Sequence, residues 1–370
     1  MAPDKFKGTL TAPEAARAIA GGWRRGDPRA EVEQVPVADG GDGTLDALVA
    51  ALGGRKERVR VTGPLGDPVE ATFGLADSPD GLLAIVEMAE ASGLRLVSEA
   101  RPDPMRATTA GTGELMAAAA SHRPSWMIVC VGGSATTDGG AGMAQALGAH
   151  LRDESGADLP PGGAALRRLA SIDTSLMSAE VRDIDIVVAS DVDNPLTGAT
   201  GASFVYGPQK GAGPRQVAIL DESLRHLAAV ILRDLGIDVS DVPGSGAAGG
   251  LGAGLVAFLG ARVRPGFEVV AEALGLSRRF ESADVAVTGE GRFDAQTERG
   301  KAPAGVLRLA REAGCRTVVI AGQIEEGVKP DADVVYSLAD RAGLDSAMTR
   351  TSELLREIAE DAARAFGEVP

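Results

Sequence analysis

Residues 11–23 (TAPEAARAIAGGW) place apolar side chains at helical spacing behind a threonine cap and an early proline, and EVEQVPVAD after them alternates like a strand. This is an α/β beginning. The opening MAPDKFKG leaves little room for the strand that would lead into such a loop, so the first strand is expected to be short and its sheet edge weak. From 56 to 97, RKERVRVTG, PVEATFGL and LLAIVEMA read as strands separated by GPLGDP and DSPDG turns, an antiparallel region unlike its flanks. MIVCVGG (127–133) and IDIVVASDV (184–192) are apolar runs that read as buried strands, each ending in small or acidic residues. The last third returns to regular alternation: DVAVTGEGRFD, a helix over about 303–313, TVVIAG, DVVYSL and a long closing helix. The pattern predicts an α/β fold with a Rossmann-like three-layer domain built from residues 1–65 and 275–370. A second α/β domain, residues 66–274, is inserted between them, and the active site is expected in the cleft between the two.

Length agrees with this division, because 370 residues exceed one ordinary hydrophobic core. Composition narrows the chemistry. Aromatics make up only 3% of the chain and the net charge is −15, which gives neither stacking platforms nor a basic surface for nucleic acid. No apolar run reaches the ~18 residues of a membrane span, and no basic-then-apolar leader is present. Cys130 and Cys315 sit inside apolar strand-like runs and read as buried free thiols in a reducing compartment. A cytoplasmic protein without nucleic-acid or membrane partners is expected, and a homo-oligomer stays open. Six lysines stand against thirty-one arginines, and Lys5, Lys7, Lys210 and Lys301 all fall in or beside Gly-rich polar segments. A lysine is a compact point charge suited to a phosphate oxygen.

Ligands of open α/β sheets bind at the carboxyl ends of strands, so the loops after strand-like runs carry the interest. Several are rich in Gly with Asp, Ser, Thr or Lys: DGGDGT (39–44), GTGE (111–114), GGSATTDGGAG (132–142), SDVDNPLTG (190–198), GPQKGAG (207–213), GSGAAGGLGAG (244–254) and TGEGRFDAQTERGK (288–301). Glycines expose backbone amides and a following helix N-terminus favours an anion, although Gly-rich turns are also ordinary loop punctuation. GGSATTDGGAG is the strongest, since it follows a buried strand and precedes the helix-like AGMAQALGAHL. GxxxxGK[ST], HRD with DFG, and GxSxG are all missing, and His122, His150 and His226 have no partner at ligand spacing. Carboxylates must then do acid–base and metal work. Asp191 and Asp193 are two apart and point the same way if their strand continues, which makes Asp191 a candidate base; the alternative is an Asx-rich turn before Pro195. Glu290 and Asp294, with Arg292 and Lys301 nearby, could serve nucleotide or metal, or cap the next helix.

In order along the chain, PDKFKGTL, PVADGGDGT, TAGTGEL, GGSATTDGGAGM, SDVDNPLTG with GPQKGA, GSGAAGGLGAG and VTGEGRFDAQTERGKAP resemble the class I glycerate kinase family, over essentially the whole chain. The resemblance implies ATP and Mg²⁺, D-glycerate as acceptor, and 2-phosphoglycerate or 3-phosphoglycerate as product. It implies that Lys5 and Lys7 face the phosphates, with Asp4 near the metal or substrate hydroxyls. Gly132, Gly133 and Ser134 would hold the glycerate carboxylate or the transferring phosphate. Asp191 would be the base, with Lys7 and Lys210 as catalytic cations and Arg292 at a phosphate. Glu290, Asp294 and Asp193 would contact nucleotide or metal. Two other readings compete: a dinucleotide-dependent dehydrogenase of a small hydroxy acid, which lacks its GxGxxG fingerprint here, and a non-catalytic small-anion-binding protein.

Overall fold

The computed structural model describes residues 1–98, 102–295, 297 and 301–367, and the chain packs as two units. The larger comprises residues 40–45 and 55–266; the smaller comprises 1–39, 46–54 and 267–370. The chain passes between them at 39/40, 45/46, 54/55 and 266/267, and the last two lie near the 65/66 and 274/275 that the pattern of elements suggests. The difference from 65/66 to 54/55 comes from strand Arg55–Thr62, which pairs along its whole length with Pro68–Ser78 of the larger unit.

The larger unit holds a six-stranded sheet in the order Arg55–Thr62, Pro68–Ser78, Gly81–Glu87, Trp126–Cys130, Asp185–Ala189, Arg262–Arg264. Its first three strands pair antiparallel, as the turn-separated pattern over 56–97 predicts, and the rest pair parallel. Trp126–Cys130 has a parallel neighbour on each side, and all five of its residues are buried. A strand covered on both faces needs apolar residues at every position rather than alternation. Leu83, Ile85, Met127 and Val129 reach zero exposure in this sheet, each worth roughly 1.5–3 kcal/mol of burial.

In the smaller unit Val285–Thr288, Arg316–Ala321 and Val334–Ser337 form a parallel sheet. Residues 1–4 extend it: the amides of Ala2 and Asp4 donate to the carbonyls of Val287 and Gly289 at 2.7 and 2.9 Å. Residues 33–37 lie on the other side, with Val35 and Val37 donating to Met1 and Pro3. The short first segment is therefore interior, bonded on both flanks, and not the weak edge its length suggested. Helix Ala12–Gly26 begins with the Thr11–Glu14 capping box that TAPE spells out, and packs on the closing helix Thr351–Gly367. Gly22 and Gly26 allow the close approach, since a Cβ there would stand 2.1 and 2.3 Å from the carbonyls of Arg356 and Glu360.

Among the described residues no helix is long and apolar enough to cross a membrane. Both cysteines are buried and neither forms a disulfide.

Candidate active site

Parallel strands present their carboxyl ends together, and in the smaller unit those ends carry the charged groups. Asp4 ends the first segment at 4% exposure, and its Oδ1 accepts the Lys5 amide at 2.6 Å. Burial pushes its carboxyl up to about 7; the Lys5 ammonium opposes the shift, Asp39 adds to it and Lys301 opposes it. Glu290, after Val285–Thr288, is also pushed up to about 7, first by burial. The Thr297 hydroxyl donates to its Oε1 at 2.6 Å and holds it down, while Asp4 and Asp294 push it further up. Asp294 accepts the Thr297 amide at 3.1 Å, so Thr297 ties the two carboxylates together. The glycines of TGEG let the segments close up: a Cβ at Gly291 would come 2.9 Å from the Lys7 nitrogen, and one at Gly289 1.8 Å from the Ile320 carbonyl. Lys7 itself is exposed. Arg292, expected at a phosphate, forms an exposed 3.1 Å pair with Glu325. Gln296, Glu298, Arg299 and Gly300 of this loop lie outside the described residues. A cavity of about 1080 Å³ bounded by Met1, Glu33, Val285, Arg316 and Phe366 opens at the starting ends of the strands, away from these carboxylates.

In the larger unit the GGSATTDGGAG loop has an unexpected filling. Its following helix is short, Ala141–Ala146, because the chain turns at Gly148 into strand His150–Arg152. The anion at that helix start is the protein's own Asp138. Its carboxylate, at zero exposure, accepts the amides of Thr109, Gly140 and Gly142 and the Thr109 hydroxyl at 2.8–3.2 Å. Burial raises the Asp138 carboxyl and these four donors lower it. Gly132, Gly133 and Ser134 precede this knot, with the Gly133 carbonyl accepting from Leu94 and the Ala135 amide donating to Ser92. Gly133 has φ +69° and lies under Asp42, whose Oδ1 would be 2.7 Å from a Cβ.

Lys210, expected to reach a phosphate oxygen, is 3% exposed, and its Nζ donates to the Thr136 carbonyl at 2.6 Å. Burial pushes its ammonium down to about 7, with the Asp138 charge opposing. The strand before Asp191 stops at Ala189, so Asp191 and Asp193 do not share a strand face. Asp191 is exposed and its Oδ1 accepts the Gly266 amide at 2.9 Å, whereas Asp193 is exposed and acts on the Tyr206 hydroxyl. Asp138, Thr109, Asp39, Asp42 and Thr297 received no role from the sequence, although each lies in or beside a Gly-rich segment.

The comparisons with known proteins follow the whole chain. The model of the glycerate kinase family matches residues 1–367. The chain belongs to the glycerate kinase family. A glycerate kinase of Halalkalibacterium halodurans is 46% identical over 368 residues, 98% of this chain and 96% of that protein. A glycerate 2-kinase of Escherichia coli is 46% identical over 347 residues, 93% of this chain and 91% of that protein. A crystal structure from Salmonella typhimurium LT2, provisionally named glycerate kinase 2, matches with a TM-score of 0.90 at 46% identity, covering 99% of this chain and 97% of that one. The α/β architecture is shared with that structure, and full-length likeness to curated glycerate kinases makes this chain an enzyme.

Proposed function

We propose that this protein is an ATP-dependent D-glycerate kinase of the cytoplasm, forming 2-phosphoglycerate and ADP. The observation that carries the reading is likeness along almost the entire chain to kinases named for glycerate, one of them a 2-kinase. The acceptor hydroxyl oxygen attacks the γ-phosphorus, its proton passes to a carboxylate, and the bond from that phosphorus to the β–γ bridging oxygen breaks to release ADP. Asp191, exposed at the end of a buried strand, takes the proton. Lys5 and Lys7 face the phosphates. The Gly132–Ser134 turn takes the substrate carboxylate, and Asp42 beside it accepts from substrate hydroxyls.

Mg²⁺ is the cation that such transfers use to neutralise charge on the phosphates. Among the described residues no three His, Cys, Asp or Glu are grouped to hold a metal by themselves. Mg²⁺ carried in with phosphates needs only one or two carboxylates, and Glu290 and Asp294, tied through Thr297, supply acceptors of that kind. Asp193 serves as a further acceptor in the larger unit. The two ends of the chain together form the nucleotide-handling domain, with the larger unit as the acceptor-binding domain.

Incubation with ATP, Mg²⁺ and D-glycerate, followed by ³¹P and ¹³C NMR of the product, tests the reading. Phosphorylation at carbon 2 is expected. Phosphorylation at carbon 3 would change the product, and robust turnover of another hydroxy acid with none of glycerate would change the substrate.

A further inference from the structure

Lys210 sits in the turn Pro208–Lys210, seventy-four residues from the carbonyl it holds. Lys210 is 3% exposed, and its ammonium donates a hydrogen bond to the Thr136 carbonyl. Asp138, two residues further on, is the carboxylate whose charge acts on it. The backbone between them is packed without slack: a Cβ at Gly249 would lie 1.9 Å from the Thr136 carbonyl oxygen, and one at Gly163 2.0 Å from that of Thr137. The hydroxyls of Thr136 and Thr137 are buried without a partner. The segment is thus held through its carbonyl and through Asp138, not through its threonine side chains.

Burying an ammonium and a carboxylate costs several kcal/mol per ion, and an apolar pair of similar volume often supports a fold as well. Buried charged groups that each bond to the backbone add direction. They fix the groups they touch in one arrangement, which matters where a neighbouring turn must meet a ligand. That turn is Gly132–Ser134, bonded on its other side to Ser92 and Leu94.

We propose that Lys210 and Asp138 are positioning residues that hold the Gly132–Ser134 turn in the geometry that receives the carboxylate of the hydroxy-acid substrate. The inference rests on the glycerate kinase reading above. It gives Lys210 an indirect role in place of contact with phosphate.

Steady-state kinetics of the full chain with ATP, Mg²⁺ and D-glycerate test it. Lys210→Met is expected to raise the KM for glycerate about 10- to 100-fold, the scale on which a remote displacement of about an ångström acts. The KM for ATP should stay within about twofold, which separates positioning of the acceptor from general damage. Thr109→Val, which removes one hydroxyl from Asp138, should act in the same direction and more weakly, and Thr109→Ser should restore the wild-type constants. A folded Lys210→Met enzyme with unchanged glycerate KM, or with both KM values raised equally, overturns the proposal. Should Lys210→Met fail to fold, an unchanged glycerate KM in Thr109→Val overturns it instead. Absence of glycerate turnover by the wild type would overturn the kinase reading and this inference together, a result distinct from wild-type turnover with unaltered variants.

Discussion

Asp4 in the smaller unit and Asp138 in the larger are both buried aspartates, and burial pushes both carboxyls up, yet their surroundings differ in kind. Asp138 accepts three amides and a hydroxyl in a knot of backbone. Asp4 accepts its neighbour's amide and lies among the charges of Lys5, Asp39 and Lys301, with its carboxyl near 7. Fixed dipoles satisfy a carboxylate permanently, whereas side-chain charges leave its proton affinity open to a ligand. The first arrangement is fixed by the backbone, and the second can respond to its charged neighbours.

The largest expected effect comes from the exposed carboxylate assigned the chemistry. Asp191→Asn should lower kcat by ~10²- to 10⁴-fold while both KM values stay within a few fold, because the amide keeps the shape but cannot take the proton. Measuring kcat at saturating Mg²⁺ beside the Mg²⁺ concentration for half-maximal rate separates a base from a ligand. A near-normal kcat would pass the role to another carboxylate, Asp193 being tested next.

Asp138→Asn should act on stability. One end of the amide presents N–H groups to buried N–H donors and leaves them unsatisfied, for a loss of about 3 kcal/mol in urea unfolding. A loss below about 1 kcal/mol would show that the knot is dispensable to the fold.

The Asp4 and Glu290 pair gives the next effect, read by pH. Both have folded values of about 7, above their ordinary 3.8 and 4.5, so the folded state binds more protons than the unfolded across this window. Their stabilising contribution is present below about pH 4 and is lost as pH rises through 7. Asp4→Asn combined with Glu290→Gln should therefore gain on the wild type in urea midpoint between pH 5 and pH 8. Parallel curves would place both carboxyls in the ordinary range.

Arg292→Ala should do least, changing stability by less than about 1 kcal/mol, because its pair with Glu325 is exposed. A rise in the KM for ATP on top of that would return Arg292 to the phosphates.

The α/β class, the antiparallel region over 56–97, the Thr11 cap and the family are legible in the amino-acid order. Each rests on local periodicity, a short-range signature or an ordered series of motifs, all written along the chain. The amino-acid order also marks the Gly-rich segments that carry both candidate regions. Which atoms those segments satisfy depends on the packed fold. Lys210 and Thr136 are neighbours through folding alone, and the Asp138 knot depends on Thr109 from another helix start. The continuation of a strand through Asp191 and Asp193 was plausible in sequence, but the chain leaves the sheet at Ala189, where Ser190 bonds to Val192 in a local turn. Residues 1–4, short enough to suggest a frayed edge, are secured by partners from residues 33–37 and 285–289. Burial and long-range hydrogen bonding are properties of the packed chain, so the carbonyl partner of a lysine in a Gly-rich loop is not written in the local sequence.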